Sequence, residues 1–128
     1  MNDLSILTDD TSPPTYLKLI LKSKAYKYQS EREGRYYLIP KLINDYKFWL
    51  QQNGNNAIWF NKEAKNWVVG AVDCLGGTKY CISGPNDNCL WPSKIHGPWK
   101  FKTWTGWRTA DQADILFKEG THQTNDIN

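Results

Sequence analysis

A ten-residue stretch in the C-terminal third of the chain interleaves basic and aromatic side chains. Residues Trp99–Arg108 read Trp-Lys-Phe-Lys-Thr-Trp-Thr-Gly-Trp-Arg, which places three cationic side chains among four aromatic rings. In an extended strand, Lys100 and Lys102 share one face and oppose Trp99 and Phe101. Such a surface can stack nucleic-acid bases on its rings while its cations neutralise phosphates. It could equally receive an acidic peptide or a sugar ring.

Within this stretch we expect Trp99 and Phe101 to be core residues, because they occupy the apolar face of the strand. The remaining cations and rings lie on the wet face or past the last clear strand, and they are the candidate binding residues: Lys100, Lys102, Trp104, Trp107 and Arg108. A second basic cluster lies near the first predicted strand and consists of Lys18, Lys22, Lys24 and Lys27.

The tryptophans are confined to one part of the chain. The seven are Trp49, Trp59, Trp67, Trp91, Trp99, Trp104 and Trp107. Buried together, they would remove on the order of 1,400 Å² from water. We expect the first three to frame a sheet and Trp91 and Trp99 to close it. That leaves Trp104 and Trp107 for recognition.

Three cysteines and one histidine together have the residue types of a zinc site. Cys74, Cys81, Cys89 and His96 give a Cys₃His set, but it lacks the short Cys-x₂₋₄-Cys chelate that structural zinc sites usually contain. Buried free cysteines are therefore the favoured interpretation, with zinc as the alternative, and a Cys81–Cys89 disulfide also stays open.

Nucleophilic catalysis would require Cys74 or Cys89 to pair with His96, and nothing in the sequence marks either thiol as activated. We therefore predict neither an enzyme nor a cofactor.

Size and composition predict a single globular domain. The chain has 128 residues, 40% of them hydrophobic, and no apolar run approaches the roughly 18 residues of a membrane span. We divide it into a flexible acidic arm (1–14), one Trp-rich β domain (15–120) and a polar tail (121–128). The N-terminus shows neither the basic nor the apolar region of a secretory signal, and the cysteine count is odd, which predicts an intracellular location.

Charge is unevenly distributed along the chain. The formal net charge is +3, but residues 16–108 carry +9 while the segments before and after them carry −3 each. A basic body favours anionic partners, although it also serves solubility.

The expected elements are mainly strands. Tyr16–Leu21 is the first, and Arg35 to Val72 should form a four-stranded antiparallel meander. Its clearest signal is Asn53-Gly54, the dipeptide that a tight hairpin turn requires. Short strands should follow at Lys79–Ile82 and Trp99–Lys102.

The last predicted element is a helix. Thr109–Gln112 resembles a capping box, and Ala113, Leu116 and Phe117 follow at helical spacing before Gly120. The predicted fold is therefore mainly β, a compact antiparallel meander or small barrel-like sheet braced by tryptophan, with one short C-terminal helix.

The order of several short motifs resembles a known type of module. The motifs are Asn44-x-x-x-Phe48-Trp49, Asn56-Ala57-Ile58-Trp59-Phe60, Trp67-Val68-Val69-Gly70, Leu75-Gly76, Pro92 and Trp99-Lys100-Phe101. Together they cover about half of the chain. They resemble a small tryptophan-rich module of proteins from protists, marine invertebrates and large DNA viruses. The nearest whole-protein resemblance is to a virion or host-interaction protein of a giant, marseillevirus-like virus.

The resemblance implies a compact sheet braced by tryptophans that binds or assembles without assigned catalysis. If the protein is viral, it also implies a place in the virion or in the host cytoplasm or nucleus. The leading hypothesis is accordingly a non-enzymatic interaction module that binds a protein partner or copies of itself. Nucleic-acid binding through the basic-aromatic strand is the second hypothesis, and lectin-like glycan binding is the third.

Overall fold

A computed structural model describes residues 12–87 and 89–120 of the chain. Within them lie nine strands and one short α-helix, with 3₁₀ turns at Ser30–Arg32, Val72–Cys74 and Pro92–Lys94. The elements are β1 (Tyr16–Leu21), α1 (Ser23–Gln29), β2 (Gly34–Ile43), β3 (Tyr46–Gln51), β4 (Asn56–Asn61), β5 (Asn66–Ala71), β6 (Ile82–Ser83), β7 (Lys100–Thr103), β8 (Gly106–Thr109) and β9 (Ile115–Gly120). Most of the predicted arm and all of the predicted tail lie outside the described residues. Pro14, the last residue of the predicted arm, is buried.

All nine strands belong to one antiparallel sheet. Its order is β8-β7-β6-β5-β4-β3-β2-β1-β9, so each strand from β1 to β8 pairs with its neighbours in sequence. The sheet curls into a half-barrel around a buried aromatic cluster. The prediction of a mainly β meander is therefore confirmed. The Asn53-Gly54 hairpin is also present, with Trp49 opposite Ile58 and Asn53 at a φ of 59°.

The predicted C-terminal helix is wrong. Residues 115–120 form β9, which pairs with β1 at six consecutive positions, from Leu21 opposite Ile115 to Tyr16 opposite Gly120. Ile115 and Phe117 are two residues apart and lie on the inner face of the sheet, where Ile115 is buried and Phe117 packs against Trp99. The same apolar residues fit both a helical and an alternating pattern. Pairing with the open edge of β1, far away in sequence, favours the strand.

The helix in the structure lies near the N-terminus instead. Ser23–Gln29 forms α1, directly after β1. Ala25 and Gln29, four residues apart, are buried on its inner side, which is the spacing of one helical face. The helix packs against β7, the strand that carries Lys100 and Lys102.

The core has two parts, one on each face of the sheet. The larger lies on the inner face, where the rings of Trp67 and Trp91 pack edge-on against Trp49 at 5.7 and 6.0 Å. The smaller lies on the outer face around Trp59 and is covered by the segment between β5 and β6. Trp49, Trp59, Trp67 and Trp99 are all buried, and Trp91 packs against the inner cluster. The central strands β4 and β5 are therefore covered on both faces.

Three buried tryptophans also fasten loops to the sheet. The indole N–H groups of Trp49, Trp59 and Trp67 donate to the backbone carbonyls of Pro14, Gly77 and Cys89, at 3.0, 3.2 and 3.2 Å. Each bond satisfies a donor that would otherwise be buried without a partner, and it fixes a segment without regular structure.

Candidate binding surface at the β7–β8 hairpin

Strands β7 and β8 form a short hairpin at one edge of the sheet. Lys102 lies opposite Trp107 and Phe101 lies opposite Arg108, and two residues, Trp104 and Thr105, make the turn. The hydroxyl of Thr103 donates to the carbonyl of Gly106 at 2.8 Å and accepts the N–H of Thr105 at 3.2 Å. These bonds hold the tip in one shape. All four residues of β8 are exposed.

The outer face of the hairpin is a basic-aromatic groove. Lys100, Lys102 and Trp107 point to this face, where they meet further side chains from the segment before β6 and from β6 itself. The groove has a volume of about 370 Å³ and is lined by Thr78, Lys79, Tyr80, Ser83, Lys100, Lys102 and Trp107. The ring of Trp107 is 44% exposed, its centroid lies 5.8 Å from that of Tyr80, and the Lys102 ammonium lies 5.7 Å from it. We call this site the outer groove.

Tyr80 reaches the outer groove because the chain crosses the sheet very closely at Gly70. A Cβ atom on Gly70 would lie 3.0 Å from both the Tyr80 Cα and the Trp59 ring, and 3.3 Å from the Lys79 carbonyl. The Tyr80 hydroxyl then accepts a hydrogen bond from the Asn61 amide at 3.3 Å. Lys79, Tyr80 and Ser83 also line this candidate site and were not predicted from the sequence. The signal available was Gly70 itself, since a glycine within a buried strand indicates close approach of another chain segment.

Substituting Gly70 by alanine tests this arrangement. We expect Gly70→Ala to lower the free energy of unfolding by about 1–3 kcal/mol, because a methyl group has no room between the strand and the backbone at Tyr80. Urea denaturation measures the loss. Equal stability of Gly70→Ala and the parent protein would contradict the close crossing.

The structure divides the five candidate residues between the two sides of the hairpin. Lys100, Lys102 and Trp107 lie on the outer face, whereas Arg108 shares the inner-face register of Phe101 and lines a pocket with Lys24. Trp104, at the tip, packs on the helix side, against Tyr28. The expected separation of Lys100 and Lys102 from Trp99 and Phe101 is confirmed, because the lysines are exposed and the rings are buried.

The described part of the chain is more basic than the chain as a whole, whose formal net charge is +3. All 16 lysines and arginines of the chain lie within the described residues, together with nine of its 13 acidic residues, a formal charge of +7. The ion pairs in this part of the chain are Arg32–Glu31, Lys62–Asp45 and Lys94–Glu119. Among the residues described, no carboxylate lies within 4.0 Å of the ammonium groups of Lys79, Lys100 or Lys102. These cations therefore keep their capacity to pair with an anionic ligand.

The cysteines and His96 do not form a common site. Cys74 packs in the outer cluster, the Cys81 sulfur accepts a hydrogen bond from Arg32 at 3.0 Å, and the Cys89 thiol donates to the Lys94 carbonyl at 3.2 Å. All three are free thiols, so a Cys81–Cys89 bridge is not formed. In residues 12–87 and 89–120, no three His, Cys, Asp or Glu side chains converge to hold a metal ion.

The pKa of the Cys89 thiol is raised, whereas an activated nucleophilic cysteine has a lowered pKa. Partial burial, together with a hydrogen bond to Asp87 and the charge of that carboxylate, raises the pKa of the Cys89 thiol to about 11. The thiol therefore stays protonated at neutral pH, and Cys89 has no thiolate character to use in a dyad with His96.

Comparison with protein-family models, curated protein sequences and solved structures finds no match to this chain. No helix in the described part of the chain is long and apolar enough to cross a bilayer.

Proposed function

We propose that this protein is a non-enzymatic binding module that holds single-stranded nucleic acid in the outer groove. The observation that carries the proposal is the setting of Trp107, whose half-exposed ring stands among Lys79, Lys100 and Lys102. A ring face available to a base and cations available to phosphates are the two elements of sequence-tolerant single-strand binding.

The groove suits unpaired bases better than a duplex. The Trp107 ring lies on an exposed edge strand beside Tyr80, so an unstacked base can lie against it once the flexible Lys102 side chain turns from the ring to a phosphate. Bases inside a duplex present only their edges, which rings cannot stack on. The lysines alternate along β7, with Lys100 and Lys102 roughly 6.6 Å apart on one face, so they can follow a backbone across the groove.

Two other ligands fit the groove less well. An acidic peptide would use the lysines but would not require two neighbouring aromatic rings. A neutral sugar carries no negative charge to pair with the three ammonium groups that line the groove beside Trp107. The formal charge of +7 on the described residues further supports a polyanion.

Fluorescence anisotropy with a labelled oligothymidine of about 12 nucleotides, titrated across a salt series, tests the proposal. We expect affinity to fall steeply with salt. In the double variant Lys100→Gln/Lys102→Gln, the slope of log affinity against log salt should decrease by about 1.4, because each phosphate contact on a single strand contributes about 0.7.

The matched control removes two exposed lysines from another part of the sheet. Lys41→Gln/Lys118→Gln changes the net charge equally but lies on β2 and β9, so its slope should stay near that of the parent protein. Absence of binding at low salt would overturn the proposal. Binding of a polyglutamate peptide in place of the oligonucleotide would assign the groove to an acidic protein partner.

A further inference from the structure

We infer that the tip of the β7–β8 hairpin carries a second base-stacking position, formed by Trp104 and Lys27, so that a bound single strand turns around the tip. This inference rests on the proposed function of the outer groove. The second position lies on the helix side of the hairpin, opposite the outer groove.

The first argument is the placement of Trp104. Its side chain is 84% exposed, yet its ring packs at a right angle to that of Tyr28, with centroids 5.1 Å apart and planes at 84°. The turn below it is closed by the hydrogen bonds of Thr103. Tight turns favour small polar residues, and nothing in the turn geometry requires a large ring. The ring is therefore held in place while most of its surface stays open to solvent, which is the form of a stacking platform.

The second argument is the cation beside the ring. The Lys27 ammonium lies 5.9 Å from the Trp104 centroid and 5.4 Å from that of Tyr28. Helix α1 contains Lys24 and Lys27 and no acidic residue. Within the part of the chain that the structure describes, neither lysine pairs with a carboxylate at 4.0 Å. The ring and its cation thus reproduce, on the helix side, the combination of Trp107 and Lys102 in the outer groove.

The third argument is that the two positions are rigidly connected. The Gln29 amide donates to the Lys102 carbonyl at 2.9 Å, and Tyr28 packs on Phe101 with centroids 6.3 Å apart, so α1 is fixed to β7. Trp104 lies in the turn and Trp107 follows three residues later on β8, with their rings on opposite faces of the hairpin. A nucleic-acid strand stacked on Trp107 can reach Trp104 by passing over the tip, where it moves from the lysines of the outer groove to Lys27.

The experiment compares a thymidine dinucleotide, which is too short to turn around the tip, with an oligothymidine of about 12 nucleotides, which can occupy both positions. For the full chain carrying Trp104→Ala, we expect affinity for the long oligonucleotide to fall about 5- to 150-fold, the loss of one stacked base. Affinity for the short one should fall by no more than about two-fold, because one of two equivalent positions remains. Lys27→Gln should also weaken binding of the long oligonucleotide and reduce its salt slope by about 0.7.

Two further variants complete the design. Trp104→Phe keeps a ring and should retain most of the long-oligonucleotide affinity, whereas Tyr26→Ala removes another half-exposed ring from α1 and should change neither affinity. If Trp107→Ala weakens binding but Trp104→Ala leaves the long oligonucleotide unaffected, the second position is wrong and the proposed function stands. If the parent protein binds neither oligonucleotide at low salt, both fail.

Discussion

Replacing Trp107 by alanine is expected to weaken binding of a single-stranded oligonucleotide about 5- to 150-fold, the effect of losing one stacked base. The free energy of unfolding should change little. Trp107 lies on the edge strand β8, it is 44% exposed, and its ring contacts are Tyr80 and the Lys102 ammonium, both on the surface of the outer groove. Anisotropy titration and urea denaturation of the same preparation separate the two effects.

The conservative variant distinguishes stacking from a merely structural role. Trp107→Phe keeps an aromatic face in the groove and should recover most of the affinity, whereas Trp107→Leu keeps apolar bulk and should not. If leucine restored binding as well as phenylalanine, the ring would act only as packing for Tyr80. The stacking interpretation of the outer groove would then be wrong.

Replacing Trp49 by alanine should have the largest effect on stability, a loss of about 3–5 kcal/mol of unfolding free energy. Trp49 is fully buried at the centre of the inner cluster, where it touches the rings of Trp67 and Trp91, and its indole holds the Pro14 carbonyl at 3.0 Å. Since domains of this size are stable by only about 5–15 kcal/mol, the variant should be marginally folded at room temperature. Urea or thermal denaturation followed by circular dichroism measures the change.

Two variants calibrate this loss. Trp49→Phe restores much of the apolar volume but leaves the Pro14 carbonyl without its donor, so its stability should fall between those of the parent and the alanine variant. Trp104→Ala removes an equally large ring from the surface and should cost almost nothing. A small loss for Trp49→Ala would show that the inner cluster does not stabilise the sheet as its packing implies.

The meander was predictable because its signals are local. The Asn53-Gly54 turn and the apolar runs on either side of it specify a hairpin without reference to the rest of the chain. Strand β9 was not predictable in the same way. Its choice between helix and strand depends on β1, about 100 residues earlier, whose open edge supplies six pairing positions. Local periodicity contains no information about that edge.

The sequence predicted which side chains of β7 face solvent at the candidate site, but it did not predict which residues from other elements surround them. Alternation along β7 correctly placed Lys100 and Lys102 on the solvent face. Tyr80 and Lys27 reach the hairpin only through the close crossing at Gly70 and the packing of α1 on β7, both of which are tertiary features. For the same reason, the sequence could not show that Trp104 and Trp107 lie on different sides of the turn.

The pairing of β1 with β9 has a consequence for how this domain can be combined with others. Because Tyr16 lies opposite Gly120, the polypeptide enters and leaves the sheet at neighbouring points. A unit whose entry and exit points are adjacent can be inserted into a surface loop of another protein without distorting that loop. It can also be circularly permuted. The ring-bearing hairpin β7–β8 lies at the other end of the strand order. In such a fusion, the attachment point and the binding surface would not compete for the same strands.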